Sequence, residues 1–178
     1  MSTRSILVGF GVGAALAFAT SMAVAQSPGL GKNITEADIT AWDIAVLPDG
    51  SNLPPGSGTP VQGAPIYSQK CAMCHGEEGK NPRPGYAPMV GAQSWPNIDS
   101  PKTITYYEHA TTLFDITRRA MPFQMPRTLT DDEVYAITAY ILAQNKLIGP
   151  NDVMNKETLP KVKMPNKGKF IIRYPDRI

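Results

Sequence analysis

Cys71-Ala72-Met73-Cys74-His75-Gly76 is the stretch of sequence that decides how this chain folds. Its two cysteines are three residues apart, and a histidine directly follows the second. On one helical turn, this spacing lets both thiols reach the two vinyl groups of a single porphyrin edge while the His75 imidazole points at the iron. The chain has only 2 cysteines and 2 histidines, so chance explains the pattern poorly. The motif predicts one covalently attached haem c, held by Cys71, Cys74 and His75.

Two other roles for the cysteine pair are weaker. A thioredoxin-like redox pair is expected between a strand and a helix, and the flanking sequence predicts no such context. A zinc site needs four ligands, and His109 is the only other histidine.

The sixth iron ligand is a choice among methionines, because methionine opposite histidine raises the reduction potential of a haem. Met121 and Met125 are both followed by proline, which fixes the local backbone. Met125 leaves little chain before the next helix, so we favour Met121 as the second metal ligand beside His75 and leave Met125 open. His109 is a further alternative, through a bis-histidine haem.

The surroundings of the haem are also predicted in part. A ligating histidine needs its other ring nitrogen anchored, usually to a backbone carbonyl, and the loop Tyr86-Ala87-Pro88 is placed to supply one. Met89 is expected to touch the porphyrin edge. Candidate partners for the propionates are Trp95, Tyr106, Arg118 and Arg119.

The hydrophobic pattern predicts an all-α domain. We expect a short helix over 64–71, one or two helices over 102–120, and a last helix that begins at Thr130. Thr130 and Glu133 form a capping box, and Val134, Ile137 and Ile141 follow at helical spacing. This helix is expected to end near Lys146, with Gly149-Pro150 as a stop.

The segments on either side of the helical domain differ from it in composition. Residues 1–25 combine Arg4, an apolar run over 6–18 and Ala23-Val24-Ala25, a pattern typical of a cleaved secretory signal peptide. The apolar run is too short to span a bilayer, so we expect a periplasmic protein without membrane insertion after cleavage. Residues 26–60 are predicted to be an extended arm with a flexible Pro/Gly hinge, residues 61–149 the haem domain, and residues 150–178 a polar tail that is disordered or lies on a partner.

Charge and composition narrow the possible functions. The formal net charge is +2, and the sequence has no basic cluster of the kind that binds nucleic acid. The acidic residues fall at helix ends and in loops, where capping or solvated roles suffice, so we expect no catalytic site in this chain.

Around the haem motif, the chain resembles a known class of proteins. Residues 71–76, Met121-Pro122, and the run from Leu129 to Val134 that leads into Tyr140-Ile141-Leu142 are similar to a class I cytochrome c domain over about residues 61–147. The resemblance implies a fold in which the first and last helices cross and the haem sits in an apolar crevice.

A narrower resemblance extends into both flanking segments. Residues 33–42, 47–50, 53–58, 110–115, 119–123 and 152–165 resemble the SoxD-type cytochrome subunit of sulfite or sulfane dehydrogenases. That family implies a molybdopterin-containing catalytic subunit as electron donor, a soluble cytochrome c as acceptor, and Met121 as the sixth ligand. Long members carry two haem domains, whereas this chain has one C-x-x-C-H, which indicates a monohaem form or a partner of a related molybdenum enzyme.

Three functions follow as hypotheses. The first is an electron-transfer subunit of a periplasmic sulfite or sulfane dehydrogenase, with no catalytic residues of its own. The second is a freestanding electron shuttle. The third is a haem enzyme or sensor with an exchangeable sixth ligand.

Overall fold

A computed structural model describes residues 29–91 and 103–170 of the chain. The predicted signal peptide, Trp95 and residues 171–178 lie outside these ranges. The helices are α1 (Glu36–Trp42), α2 (Pro60–Lys70), α3 (Ala72–His75), α4 (Ala110–Ala120) and α5 (Asp131–Gln144), and two short strands are β1 (Ser57–Gly58) and β2 (Met154–Asn155). Single 3₁₀ turns span Glu77–Gly79, Ile104–Tyr106 and Leu159–Lys161. The predicted all-α class is confirmed.

The described residues fall into two units, which divide between Thr40 and Ala41. In the first, the Thr35 backbone N–H donates to Asp38 Oδ2 over 2.9 Å at the start of α1, where side-chain oxygens commonly cap a helix. Within the described ranges, 29–91 and 103–170, no helix combines the length and the apolar character needed to cross a membrane.

Helix α5 is the centre of the larger unit. Its predicted capping box is present: the Thr130 side chain accepts from the Glu133 backbone N–H, and the Glu133 carboxylate accepts from the Thr130 backbone N–H. Both bonds satisfy amide groups that a helix start leaves without partners. Eight of its residues are buried, so neighbours cover the helix on several sides: Val134, Tyr135, Ala136, Ile137, Thr138, Ala139, Ile141 and Leu142. The helix ends at Gln144, two residues before the predicted end.

Helix α2 crosses α5 at a glycine. A Cβ on Gly63 would lie 1.9 Å from the carbonyl oxygen of Ala136, so only glycine lets the two backbones approach this closely. One turn further along, the rings of Tyr67 and Tyr140 pack with their centroids 5.1 Å apart.

The start of α2 was predicted four residues too late. The helix begins at Pro60, which suits a first helical position because it has no N–H to satisfy. Thr59 and Gln62 form a second capping box. Pro65 inside the helix made the first turn hard to recognise, since proline usually marks a helix start or a break.

Helix α4 also packs against α5. Phe114 is fully buried, and its ring centroid lies 4.4 Å from that of Tyr135. Of the one or two helices predicted over 102–120, the described residues before α4 contain only the 3₁₀ turn at Ile104–Tyr106, although Ile104 is buried in the same core.

The segment before α2 differs from the predicted flexible hinge. The Ser57 backbone N–H donates to Asp132 Oδ1 over 2.8 Å, and the Tyr135 hydroxyl donates to the Pro54 carbonyl over 2.9 Å. Val46 is buried in the core, and its N–H donates to Asp115 Oδ1 over 2.9 Å. Side chains of α4 and α5 therefore hold the stretch from Val46 to Gly58 in place.

The described part of the tail is also folded, in contrast to the predicted disorder. Strand β2 pairs antiparallel with β1, Met154 opposite Gly58 and Asn155 opposite Ser57. Met154, Leu159 and Met164 are buried in the core of this same chain. They follow no helical or strand period, so local pattern does not reveal a burial that depends on distant neighbours.

Candidate haem site

The cysteine motif occupies a single helical turn directly after α2. The Cys71 carbonyl accepts hydrogen bonds from the backbone N–H groups of Cys74 and His75, over 3.1 and 3.0 Å. Gly76 then turns the chain away with a φ of 80°, and a Cβ there would lie 1.7 Å from the Lys80 carbonyl oxygen. Both thiols and the imidazole are thus presented together at the end of one helix.

These side chains face a cavity of about 400 Å³. Its walls are mainly apolar and come from α2, α3, α4 and α5 and from the loops that follow α3 and α4. The lining residues include Tyr67, Cys71, Cys74, His75, Tyr86, Met89, Thr117, Met121, Pro122, Phe123, Ile137 and Ile141. An apolar crevice of this kind, with a few placed ligands, is typical of a cofactor site.

His75 is prepared for metal ligation through its Nε2 atom. Its Nδ1 lies 2.8 Å from the carbonyl oxygen of Ala87. A carbonyl only accepts, so the proton sits on Nδ1 and the lone pair is left on Nε2. The prediction that the Tyr86–Pro88 loop supplies this carbonyl is confirmed, and a fixed tautomer of this kind is what a haem or metal ligand requires.

The environment of Cys71 argues against a reactive redox pair. Burial raises the pKa of the Cys71 thiol to about 11, and the Cys74 thiol adds to this rise against the opposing effect of Lys70. Thiol–disulfide exchange proteins depend on cysteines with a lowered pKa. No disulfide joins Cys71 and Cys74.

The two methionine candidates for the sixth iron ligand, Met121 and Met125, differ in whether they line the cavity. Met121 caps the C-terminus of α4, where its N–H donates to the Thr117 carbonyl over 3.2 Å, and it lines the cavity. Met125 is 60% exposed and is not part of the lining. Met89 lines the cavity as predicted. His109 lies at the opposite end of α4 from Met121 and is absent from the lining, so the structure does not bring it together with Cys71 and Cys74.

The predicted propionate partners within the described residues do not line the cavity. Arg118 binds Asp131 through Nε over 2.7 Å, and Arg119 pairs with Asp115. Tyr106 packs edge-on against Phe170. Both arginines thus form ion pairs within the protein. The sequence alone does not distinguish an arginine in such a pair from one that binds a ligand.

Thr117 and Tyr67 also line the cavity, and the sequence pattern assigned neither of them a role there. Thr117 lies four residues before Met121, and residues at this spacing lie on the same face of a helix. The spacing could therefore have indicated that Thr117 lines the cavity with Met121. Tyr67 lies four residues before Cys71 on α2 and donates through its hydroxyl to the Gly76 carbonyl over 3.3 Å. Burial raises the pKa of this phenol, which keeps it neutral.

Crossed terminal helices around an apolar crevice, with a histidine whose tautomer is fixed, define a class I cytochrome c domain, a haem-binding module for electron transfer. The family model described as cytochrome c oxidase, cbb3-type, subunit III, matches residues 58–141. Photosystem II extrinsic protein V of Synechococcus elongatus is 28% identical over 127 residues, which cover 64% of this chain and 76% of that protein.

A solved structure extends the likeness beyond the haem domain. The sulfane dehydrogenase SoxCD from Paracoccus pantotrophus contains a chain 37% identical to this one, with a TM-score of 0.72, and the match covers 84% of this chain and 73% of that chain. This chain belongs to the SoxD-type family of cytochrome c subunits.

Proposed function

We propose that this protein is a periplasmic monohaem c-type cytochrome that serves as the electron-transfer subunit of a molybdenum-containing sulfite or sulfane dehydrogenase. The observation that carries the haem assignment is the joint placement of Cys71, Cys74 and His75 on one wall of the apolar cavity. The enzyme assignment is supported by the likeness to the SoxCD chain, which covers most of this sequence.

In this proposal each residue of the site has one task. Cys71 and Cys74 bind the porphyrin edge through thioethers, and His75 offers its Nε2 lone pair to the iron. Met121 offers its thioether from the C-terminal end of α4, where it lines the same cavity. A haem bound there alternates between ferrous and ferric iron and so carries one electron. Ile137 and Ile141 help to exclude water from the cavity, which lowers the local polarity.

The ligand assignment is tested by comparing two methionine variants. We expect the long-wavelength ferric absorption band of methionine–iron ligation to disappear in Met121→Ala and to persist in Met125→Ala. The exposed Met125 is the matched control, because it is also followed by proline and lies four residues away. Loss of the band in Met125→Ala alone would refute the assignment. Mass spectrometry of the purified protein checks for one haem bound through two thioethers.

The subunit role is tested by co-purification from the native host. We expect a molybdopterin-containing protein to be retained with this cytochrome, and electrons to pass from that enzyme to a soluble cytochrome c. Recovery of a monomer that exchanges electrons equally well with unrelated donors would favour the freestanding shuttle instead. A five-coordinate, high-spin wild-type spectrum would favour a haem enzyme or sensor.

A further inference from the structure

The Asn145 side chain at the end of α5 binds the loop that anchors His75. Its Nδ2 donates to the carbonyl oxygens of Met89 and Ile141, over 3.0 and 2.8 Å. Its Oδ1 accepts from the Gly91 backbone N–H over 3.1 Å. Only this orientation of the amide satisfies all three contacts, because a flipped amide would place Oδ1 against two carbonyls.

The bond to Met89 lies two residues from the carbonyl that meets His75. Ala87 precedes Pro88, so its backbone is restricted to extended conformations, and the proline ring fixes the φ of Pro88. This stiff link transmits the position of Met89 to the Ala87 carbonyl. From the other side, the N–H groups of Met89 and Val90 donate to the Gly79 carbonyl over 2.9 and 3.0 Å.

We propose that Asn145 is a positioning residue for the haem: it holds the loop so that the Ala87 carbonyl stays in hydrogen-bond contact with Nδ1 of His75. The inference rests on the proposed function, in which His75 ligates the iron. A well-held acceptor on Nδ1 makes the imidazole a more basic ligand. A more basic ligand stabilises the more highly charged oxidation state, so this contact lowers the reduction potential.

Helix α5 thereby acts on the site in two ways. Ile137 and Ile141 contribute to the cavity wall, while Asn145, beyond the last turn, reaches the loop behind the histidine. A helix-capping role alone would require only the bond to the Ile141 carbonyl. The contacts with Met89 and Gly91 are the observations that go beyond capping.

The test compares Asn145→Ala with Asn166→Ala in the haem-loaded protein. Asn166 is the matched control because it also donates its side-chain amide to a backbone carbonyl, that of Tyr106, over 3.1 Å, and it does not line the cavity. We expect both variants to lose thermal stability. Only Asn145→Ala should raise the midpoint potential, by a shift equivalent to a several-fold change in relative ferric and ferrous stability, where tenfold corresponds to 59 mV for one electron.

A second readout reports on the contact itself. In the diamagnetic ferrous protein, the Nδ1 proton of His75 should exchange with solvent faster in Asn145→Ala than in the wild type, as measured by NMR. Pro88→Ala loosens the same link within a loop, without a change in the helices. Pro88→Ala should raise the midpoint potential and the exchange rate of the Nδ1 proton, each by less than Asn145→Ala does. This variant keeps the proposal testable if Asn145→Ala does not fold.

The possible outcomes distinguish a failure of the positioning role of Asn145 from a failure of the proposed function. An unchanged potential and an unchanged Nδ1 exchange rate in Asn145→Ala and Pro88→Ala would overturn the positioning role and leave the cytochrome assignment standing. A wild-type protein without haem on Cys71 and Cys74 would overturn the proposed function and this inference together.

Discussion

Replacement of Gly63 by alanine tests the helix crossing on which the cavity depends. A Cβ at this position would lie 1.9 Å from the Ala136 carbonyl oxygen and 2.8 Å from the Tyr140 Cβ. Ordinary contact begins near 3.4 Å, so α2 and α5 must separate by about 1.5 Å at this point. The obstacle is backbone, which cannot rotate away as a flexible side chain can.

The magnitude follows from two opposed effects. Overpacking a tight contact costs about 3 kcal/mol when the neighbours cannot yield. Alanine in a helix interior is about 1 kcal/mol more favourable than glycine. We therefore expect a net loss of about 2 kcal/mol, or a fall in Tm of about 4–8 °C for a chain of this length.

The assay is thermal unfolding of the haem-loaded protein, followed by circular dichroism. Ser68→Ala, at an exposed position of the same helix, is the control and should stay within about 0.5 kcal/mol of the wild type. Because helix propensity alone predicts that Gly63→Ala is stabilising, the sign of the change is decisive. A Tm at or above that of the wild type would refute the packing argument.

Two further predictions concern the same domain. Glu133→Gln keeps the capping box but removes the ion pair with Lys70, whose Nζ lies 2.6 Å from Glu133 Oε1. The bonds from Lys70 and from the Thr130 backbone lower the pKa of Glu133 below its ordinary 4.5. The ionised Glu133 carboxylate therefore stabilises the fold fully above about pH 4.5, the ordinary pKa. This contribution is lost as the pH falls through the lowered pKa of the folded state. Urea unfolding should show the variant less stable by up to about 1 kcal/mol at pH 7, and an equal gap well below pH 4 would contradict the assignment. Leu159→Ala, at a fully buried position of the tail, should cost about 2–5 kcal/mol, whereas the 45% exposed Val153 should tolerate alanine with little change. Equal losses for the two would mean that the tail does not belong to the core.

The haem motif and the start of α5 could be predicted from sequence because both are local. A C-x-x-C-H turn spans five residues, and a capping box spans four. Each can therefore be recognised from neighbouring residues alone, without knowledge of distant contacts. The Ala87 carbonyl was predictable for a related reason: a ligating histidine requires an acceptor, and the loop after the motif is the nearest source.

The remaining features depend on contacts between distant residues. Gly63 has no local signal of a helix crossing, since its role is decided by Ala136. Leu159 is buried only because α4 and the segment before α2 pack against the turn that carries it. Asn145 looks like an ordinary residue at a helix end, and its bonds to Met89 and Gly91 become visible only when the loop is in place.

The short strand pair also orders events during synthesis. Strand β1 directly precedes α2, which leads into the haem-binding turn, but its partner β2 follows α5 near the end of the chain. A nascent chain emerges N-terminus first, so the cysteine turn has already been made while β1 still lacks its partner. The pairing of Gly58 with Met154 can form only after α5 and residue 154 have been made. A truncation before residue 154 should therefore still acquire haem, yet accumulate as a more protease-sensitive species.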